Sequence, residues 1–173
     1  MKVALIVAVD RANGIGKNND LMWHLPADMK FFKETTAGQI VITGRKNYES
    51  IPERFRPLPN RENVVLTRDQ ALQFEGCKQF NSLEASLEHF KNETERTVFI
   101  IGGGEIYRQA LALDCIDEMY ISHVDHEFGA DTFFPSIDQE QWDKKTLFQH
   151  TMDEKHLYAF ETIHYTKKKN ATK

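Results

Sequence analysis

Five short apolar runs recur along the chain: Val3–Val9, Ile40–Thr43, Asn63–Leu66, Thr97–Ile101 and Met119–Val124. None alternates polar with apolar, as a strand with one wet face does. Continuous, β-branched apolarity calls for strands covered on both faces, which is the signature of a parallel sheet between helices. Helical segments fall between these runs. One runs from Pro26 to about Ala37, with proline in the first turn and Gly38 just beyond. The others are Arg45 to Ser50, Ser82 to Phe90 and Gly104 to Leu113. The third has Asn81 or Ser82 as its cap and Leu83, Leu87 and Phe90 on one stripe. Strand alternating with helix predicts an α/β fold with a mostly parallel central sheet of about eight strands and about four flanking helices. At the end, Leu147–Thr151 and Leu157–Tyr165 read as an antiparallel hairpin, which makes the sheet mixed. In such sheets ligands sit at the carboxyl ends of the strands.

The 173 residues suit one domain, expected over residues 1–166, with 167–173 as a basic, frayed tail. Leu, Ile, Val and Phe make up 44 residues, enough for a packed core. The net charge of −4 lacks the basic excess that nucleic-acid binding needs. Cys77 and Cys115 form no CxxC pair and no zinc spacing, so no metal site is expected, and isolated thiols fit a reducing cytoplasm. The first apolar run stops at Asp10, too short to span a bilayer and without a small-residue cleavage site. With no coiled-coil pattern, a monomer is the default.

Four constellations stand at strand ends. In the first, Val9 runs into a loop rich in Gly, Asn and Asp that reaches Trp23; such a loop is either a lid or a flexible surface connection. In the second, Trp23-His24-Leu25-Pro26-Ala27-Asp28 opens a helix. An acid in a first turn ordinarily serves the helix N-terminus. Phe32, one turn on, gives Asp28 an aromatic neighbour, and a desolvated carboxyl suits a nitrogen heterocycle. His24 reads as a surface or capping residue and not as a catalyst. In the third, Gly44-Arg45 and Thr67-Arg68 each deliver an arginine at a strand end, which is either a phosphate site or two solvated side chains. In the fourth, Ile101-Gly102-Gly103-Gly104 ends a buried strand and opens a helix. It is neither GxGxxG nor a P-loop, yet three glycines would let backbone N–H groups close on a phosphate.

Together these segments resemble dihydrofolate reductase of the bacterial chromosomal type. The blocks are Ala8 to Gly16, Trp23 to Phe32, Gly44 to Ile51, Arg56 to Arg61, Ile101 to Tyr107 and Asp131 to Pro135, in the family's order and over nearly the whole chain. The resemblance implies a cytoplasmic, NADPH-dependent reduction of 7,8-dihydrofolate to tetrahydrofolate, serving one-carbon and thymidylate metabolism. It implies antifolate inhibitors as further ligands, and neither nucleic acid nor membrane as a partner. It makes Asp28 the acid that grips the pterin, Ser122 the hydroxyl on that acid, and Trp23 and Leu21 parts of the catalytic surroundings. Ile6, Phe32, Ile51, Leu58, Ile101 and Tyr107 become pocket residues, and Arg61 the partner of the folate α-carboxylate.

For the cofactor, the resemblance implies Ala8, Ile15, Gly16, Asn19 and Leu21 around the nicotinamide. Gly102, Gly103, Gly104, Glu105, Ile106, Tyr107 and Ile101 fall around the pyrophosphate turn, with Thr132 nearby. Gly44, Arg45, Lys46, Asn47, Leu66, Thr67 and Arg68 fall around the adenosine and its 2′-phosphate. A cis bond joins the first two glycines in the family. Asp131 matches an acid that braces the closed lid. Asn47, Glu105 and Met22 depart from common family choices. A reductase of another pterin-like or pyrimidine substrate on the same fold would not explain Arg61 or the Asp28–Ser122 pair. A non-catalytic binding module would not explain Asp28, lid and glycine turn together.

Overall fold

The computed structural model describes residues 1–18 and 21–168. Eight strands form one sheet: β1 (Lys2–Val9), β3 (Ile40–Gly44), β4 (Glu62–Leu66), β5 (Cys77–Phe80), β6 (Thr97–Gly102), β7 (Glu118–Val124), β9 (Trp142–His150) and β10 (Phe160–Lys167). Their order across the sheet is β5-β4-β3-β6-β1-β7-β10-β9. Pairing is parallel from β5 through β7 and antiparallel on both sides of β10, so β10 alone runs against the rest. The helices are α1 (Pro26–Thr36), α2 (Arg45–Glu49), α3 (Leu83–His89) and α4 (Gly104–Ala112). No helix among the described residues is long and apolar enough to cross a membrane.

Continuous apolarity follows from cover on both faces. Along β1, Val3, Leu5, Val7 and Val9 enter one core cluster with Leu83, Phe90 and Ala110 from the α3 and α4 regions. Ala4 and Ile6, pointing the other way, pack with Val41, Phe99 and the α1 aromatics Phe31 and Phe32. A period of two along the strand thus feeds two cores. Helix α3 is capped as the sequence suggests, with the Ser82 hydroxyl accepting from the Ala85 N–H.

Three elements depart from expectation. Strand β5 was not foreseen: it is a partly exposed edge strand, and its short polar sequence offers no continuous apolar run. Strand β9 begins at Trp142 instead of Leu147, because its first half is an exposed edge rich in charge. The second hairpin strand begins at Phe160 instead of Leu157 and runs on through Lys167. Lys167, expected in the frayed tail, is held there: its ammonium reaches Asp114 at 2.6 Å, and the Lys168 N–H donates to the Gln141 carbonyl. The remaining tail lies outside the described residues.

The long loop after β1 is not all loop. Gly14–Gly16 forms β2, paired antiparallel with β8 (Thr132–Phe133) as a two-stranded ribbon. Buried Asp10 shapes its entry, accepting from the N–H groups of Ala12, Gly14 and Phe128. Asp131 holds its exit, accepting from the Asn18 N–H at 2.9 Å. Asn19, expected at the cofactor, lies outside the described residues.

Candidate active site

Asp28 lies in the first turn of α1, yet it caps nothing. The α1 N-terminus receives no side-chain cap from its own segment. The Asp28 Oδ1 instead accepts from the Ser122 hydroxyl at 2.7 Å, across 94 residues of sequence. Ser122 stands on β7 opposite Ala8 of β1, near the carboxyl ends of both strands. Burial pushes the Asp28 carboxyl above its ordinary range, and the Ser122 hydrogen bond offsets part of that rise. The cap on α1 comes from elsewhere. The Ala27 N–H donates to Nε2 of buried His156, 129 residues away. Accepting there leaves the His156 proton on Nδ1, from which it donates to Asp153 at 2.8 Å. His150, Asp153 and His156 bring three ligand-type atoms within 4.8 Å of one another. With both nitrogens of His156 already committed, the cluster works as a hydrogen-bonded cap and not as a ligand set.

One helical turn on from Asp28, Phe32 joins an apolar wall. Ile6, Phe32, Leu58 and Ile101 share one cluster. Ile51, just beyond α2, stands outside it, half-buried. Tyr107 is a brace beneath the site: it is buried, and its hydroxyl donates to the Ile6 carbonyl at 2.8 Å. Trp23 packs against Phe128 at 5.2 Å between ring centres, while Leu21 and His24 are exposed. Arg61 lies 5.9 Å over the Phe32 ring. Its Nε donates to the Pro59 carbonyl and its Nη1 to the Thr36 hydroxyl. These contacts aim a planar fork along the α1 side of the wall.

The anion side is built differently. In register, Gly44 of β3 neighbours Leu66 of β4, and Thr43 neighbours Gly102 of β6. Three strand ends therefore deliver Arg45, Arg68 and the glycine turn side by side. The Gly102–Gly103 bond is cis, as the resemblance implied, and Gly102 has φ +129°. A Cβ on Gly102 would meet the Asn47 amide at 3.0 Å, and one on Gly104 would meet the Thr132 methyl at 2.8 Å. Asn47 bonds the Thr43 hydroxyl, which bonds the Gly102 carbonyl, so Asn47 fastens the turn. At Gly44 a Cβ would press on Ile106 at 3.1 Å. Ile15, Gly16 and Thr132 meet in the β2–β8 ribbon beside Gly104. The first turn of α4 receives no side-chain cap from Gly103. Lys46 and Arg68 are exposed, whereas Thr67 is buried and bonds the Asp69 N–H. Glu105 is exposed, and pairing with Arg108 holds its carboxyl below the usual range, with Arg68 adding a smaller pull.

A cation pair beside a side-chain-free turn at a helix N-terminus suits a dinucleotide phosphate. A desolvated carboxyl beside an apolar wall suits a flat nitrogen heterocycle. The comparisons agree. A family model described as dihydrofolate reductase matches residues 2–167. The chain belongs to the dihydrofolate reductase family. It is 40% identical over 160 residues to the dihydrofolate reductase of Staphylococcus haemolyticus, covering 92% of each chain. It is also 40% identical over 169 residues to that of Bacillus subtilis, covering 98% of this chain and 96% of the other. Among solved structures it is similar to the Enterococcus faecalis dihydrofolate reductase complexed with NADP(H) and RAB-propyl. That match has a TM-score of 0.87 and 36% identity over 97% of both chains.

Sequence reasoning missed His156, Thr36, Asp10 and Thr162, the last bonded to Ser122. Each acts across a long sequence gap or a turn that local patterns do not reveal.

Proposed function

We propose that this chain reduces 7,8-dihydrofolate to tetrahydrofolate with NADPH, and that Asp28 grips the pterin. The observation that carries this reading is the half-buried Asp28 carboxyl, bonded to Ser122 and, among the described residues, to no backbone N–H, one helical turn before Phe32, which packs with Ile6 and Ile101. NADPH, when bound, supplies a hydride to pterin C6. Its diphosphate and 2′-phosphate would be held by the glycine turn, Arg45 and Arg68, and its nicotinamide by the backbone of Ala8 and Ile15. Asp28 accepts hydrogen bonds from N3 and the 2-amino group, which polarises the ring toward an N5 that takes up a proton. N5 lies across the ring from that contact, so water delivers the proton. Arg61 takes the folate α-carboxylate, and Ile51 extends the wall toward it. The β2–β8 ribbon and Asp131 anchor the loop that follows β1, placed to serve as a lid that excludes bulk water.

The direct test is loss of NADPH absorbance when dihydrofolate is added to the purified protein. Turnover that needs both compounds supports the reading. Binding of both without turnover would make the chain a binding module and sink it.

A further inference from the structure

The Asp28–Ser122 contact does not end at Ser122. The Thr162 hydroxyl lies 2.8 Å from the Ser122 hydroxyl. Thr162 faces Ser122 directly in the antiparallel β7–β10 register and is fully buried. Proton accounting fixes the direction of the chain. An ionised Asp28 only accepts, so Ser122 donates its single proton there. The proton between the two hydroxyls must then be Thr162's. Thr162 donates to Ser122, and Ser122 to Asp28. A hydroxyl that accepts is a stronger donor, so the chain favours the carboxylate at its end. Ser122 also lacks the γ-methyl that restricts a threonine, and its hydroxyl has three staggered positions open to it. The Thr162 contact selects the one that points at Asp28.

We propose that Thr162 is a positioning residue for substrate binding: it holds the Ser122 hydroxyl on the Asp28 carboxylate. This rests on the reading of Asp28 as the pterin ligand. A purely structural role is the alternative, since buried cross-strand hydroxyl pairs stabilise sheets. The two differ in what moves when the hydroxyl alone is removed.

Thr162→Val is nearly isosteric, and Thr162→Ser keeps the hydroxyl. The measurements are KM and kcat for dihydrofolate, the Asp28 carboxyl titration by carbon-13 NMR, and melting temperature. For Thr162→Val we expect KM to rise about three- to tenfold with a smaller change in kcat, and the Asp28 midpoint to move up by about half a unit. Thr162→Ser should stay within about twofold of the parent in KM and share its midpoint, since the bond survives. Adding Thr162→Val to Asp28→Asn should raise KM no further, because the two act through one contact. If Thr162→Val does not accumulate as folded protein, Thr162→Ala makes the same comparison. A hydroxyl-free variant with unchanged KM and unchanged Asp28 titration overturns the proposal, whatever its melting temperature. If Asp28→Asn itself binds and turns over dihydrofolate normally, the reading of Asp28 fails and this one with it. If Asp28→Asn is crippled while Thr162→Val behaves as the parent, only the role of Thr162 falls.

Discussion

The proposed substrate end and the proposed cofactor end are stabilised in opposite ways. At the substrate end the polar groups find partners within the chain. Asp28 has Ser122, Ser122 has Thr162, the α1 N-terminus has His156, and Arg61 has Thr36 and Pro59. At the cofactor end the cations are only loosely engaged. Arg45 meets Glu49 at a long 3.4 Å, and Arg68 has no ion pair among the described residues. The glycine turn has bare backbone where other turns have side chains. One end is a fixed socket whose shape exists before the ligand arrives. The other holds charge in reserve for a ligand that brings its own. Exposed cations contribute little to folding, so the cations of the second end can be altered with little loss of stability, whereas most changes at the first end will be felt by the fold.

The largest effect should come from Asp28→Asn, which also breaks that pattern. Steady-state turnover should fall by about a hundredfold or more, roughly 3 kcal/mol in barrier. Stability should not fall with it. The folded carboxyl titrates above its ordinary 3.8, so the folded state binds the proton more tightly than the unfolded chain does. Stability therefore drops as pH rises through the window between 3.8 and the raised folded value, and that cost is complete at neutral pH. An amide escapes it. The melting temperature of Asp28→Asn at pH 7 should equal or exceed the parent's, as calorimetry would show. Next comes Arg68→Ala. KM for NADPH should rise about tenfold or more and KM for NADH by less than about twofold, because only the 2′-phosphate contact is lost. Equal changes for both would mean that Arg68 serves the dinucleotide generally. Arg61→Ala should follow: about a fivefold loss of folate affinity by titration, with pterin-site inhibitors that lack a glutamate almost untouched. Its melting temperature should fall slightly, since Thr36 and the Pro59 carbonyl lose their donor. The smallest effect belongs to Glu105→Gln. Arg108 already neutralises that carboxylate, so NADPH should bind within about twofold of the parent at low salt, with the difference gone at high salt.

How legible each end was follows from the same contrast. The interior strands were readable because cover on both faces makes them continuously apolar, and β5 and the first half of β9 hid because an edge strand keeps one side wet. Asp28 stood out by its neighbours Trp23 and Phe32, and the glycine turn by composition. The residues alone left the cations at 45 and 68 as either a phosphate site or two solvated side chains; the resemblance paired them, and the register Gly44 to Leu66, which no local pattern contains, brings their strand ends together. Ser122 entered through the family resemblance alone. Thr162 and His156 did not enter at all, because their roles arise where the C-terminal hairpin folds back on β7 and α1. A buried threonine in a strand reads as sheet, and a histidine in a polar turn reads as surface. The β2–β8 ribbon was equally silent, since two-residue pairings carry no periodicity.

The central claim is that the socket acts through the charge on Asp28. Single-turnover hydride transfer from NADPH to dihydrofolate, followed against pH for the parent and Asp28→Asn, tests it most directly. The parent rate should fall as pH rises, because neutral N5 accepts hydride poorly. The Asp28→Asn rate should be lower by about two orders of magnitude at pH 7 and should recover as the solution supplies protonated substrate at lower pH. An Asp28→Asn protein that transfers hydride at near the parent rate at neutral pH would contradict the claim and leave Asp28 only the structural partner of Ser122.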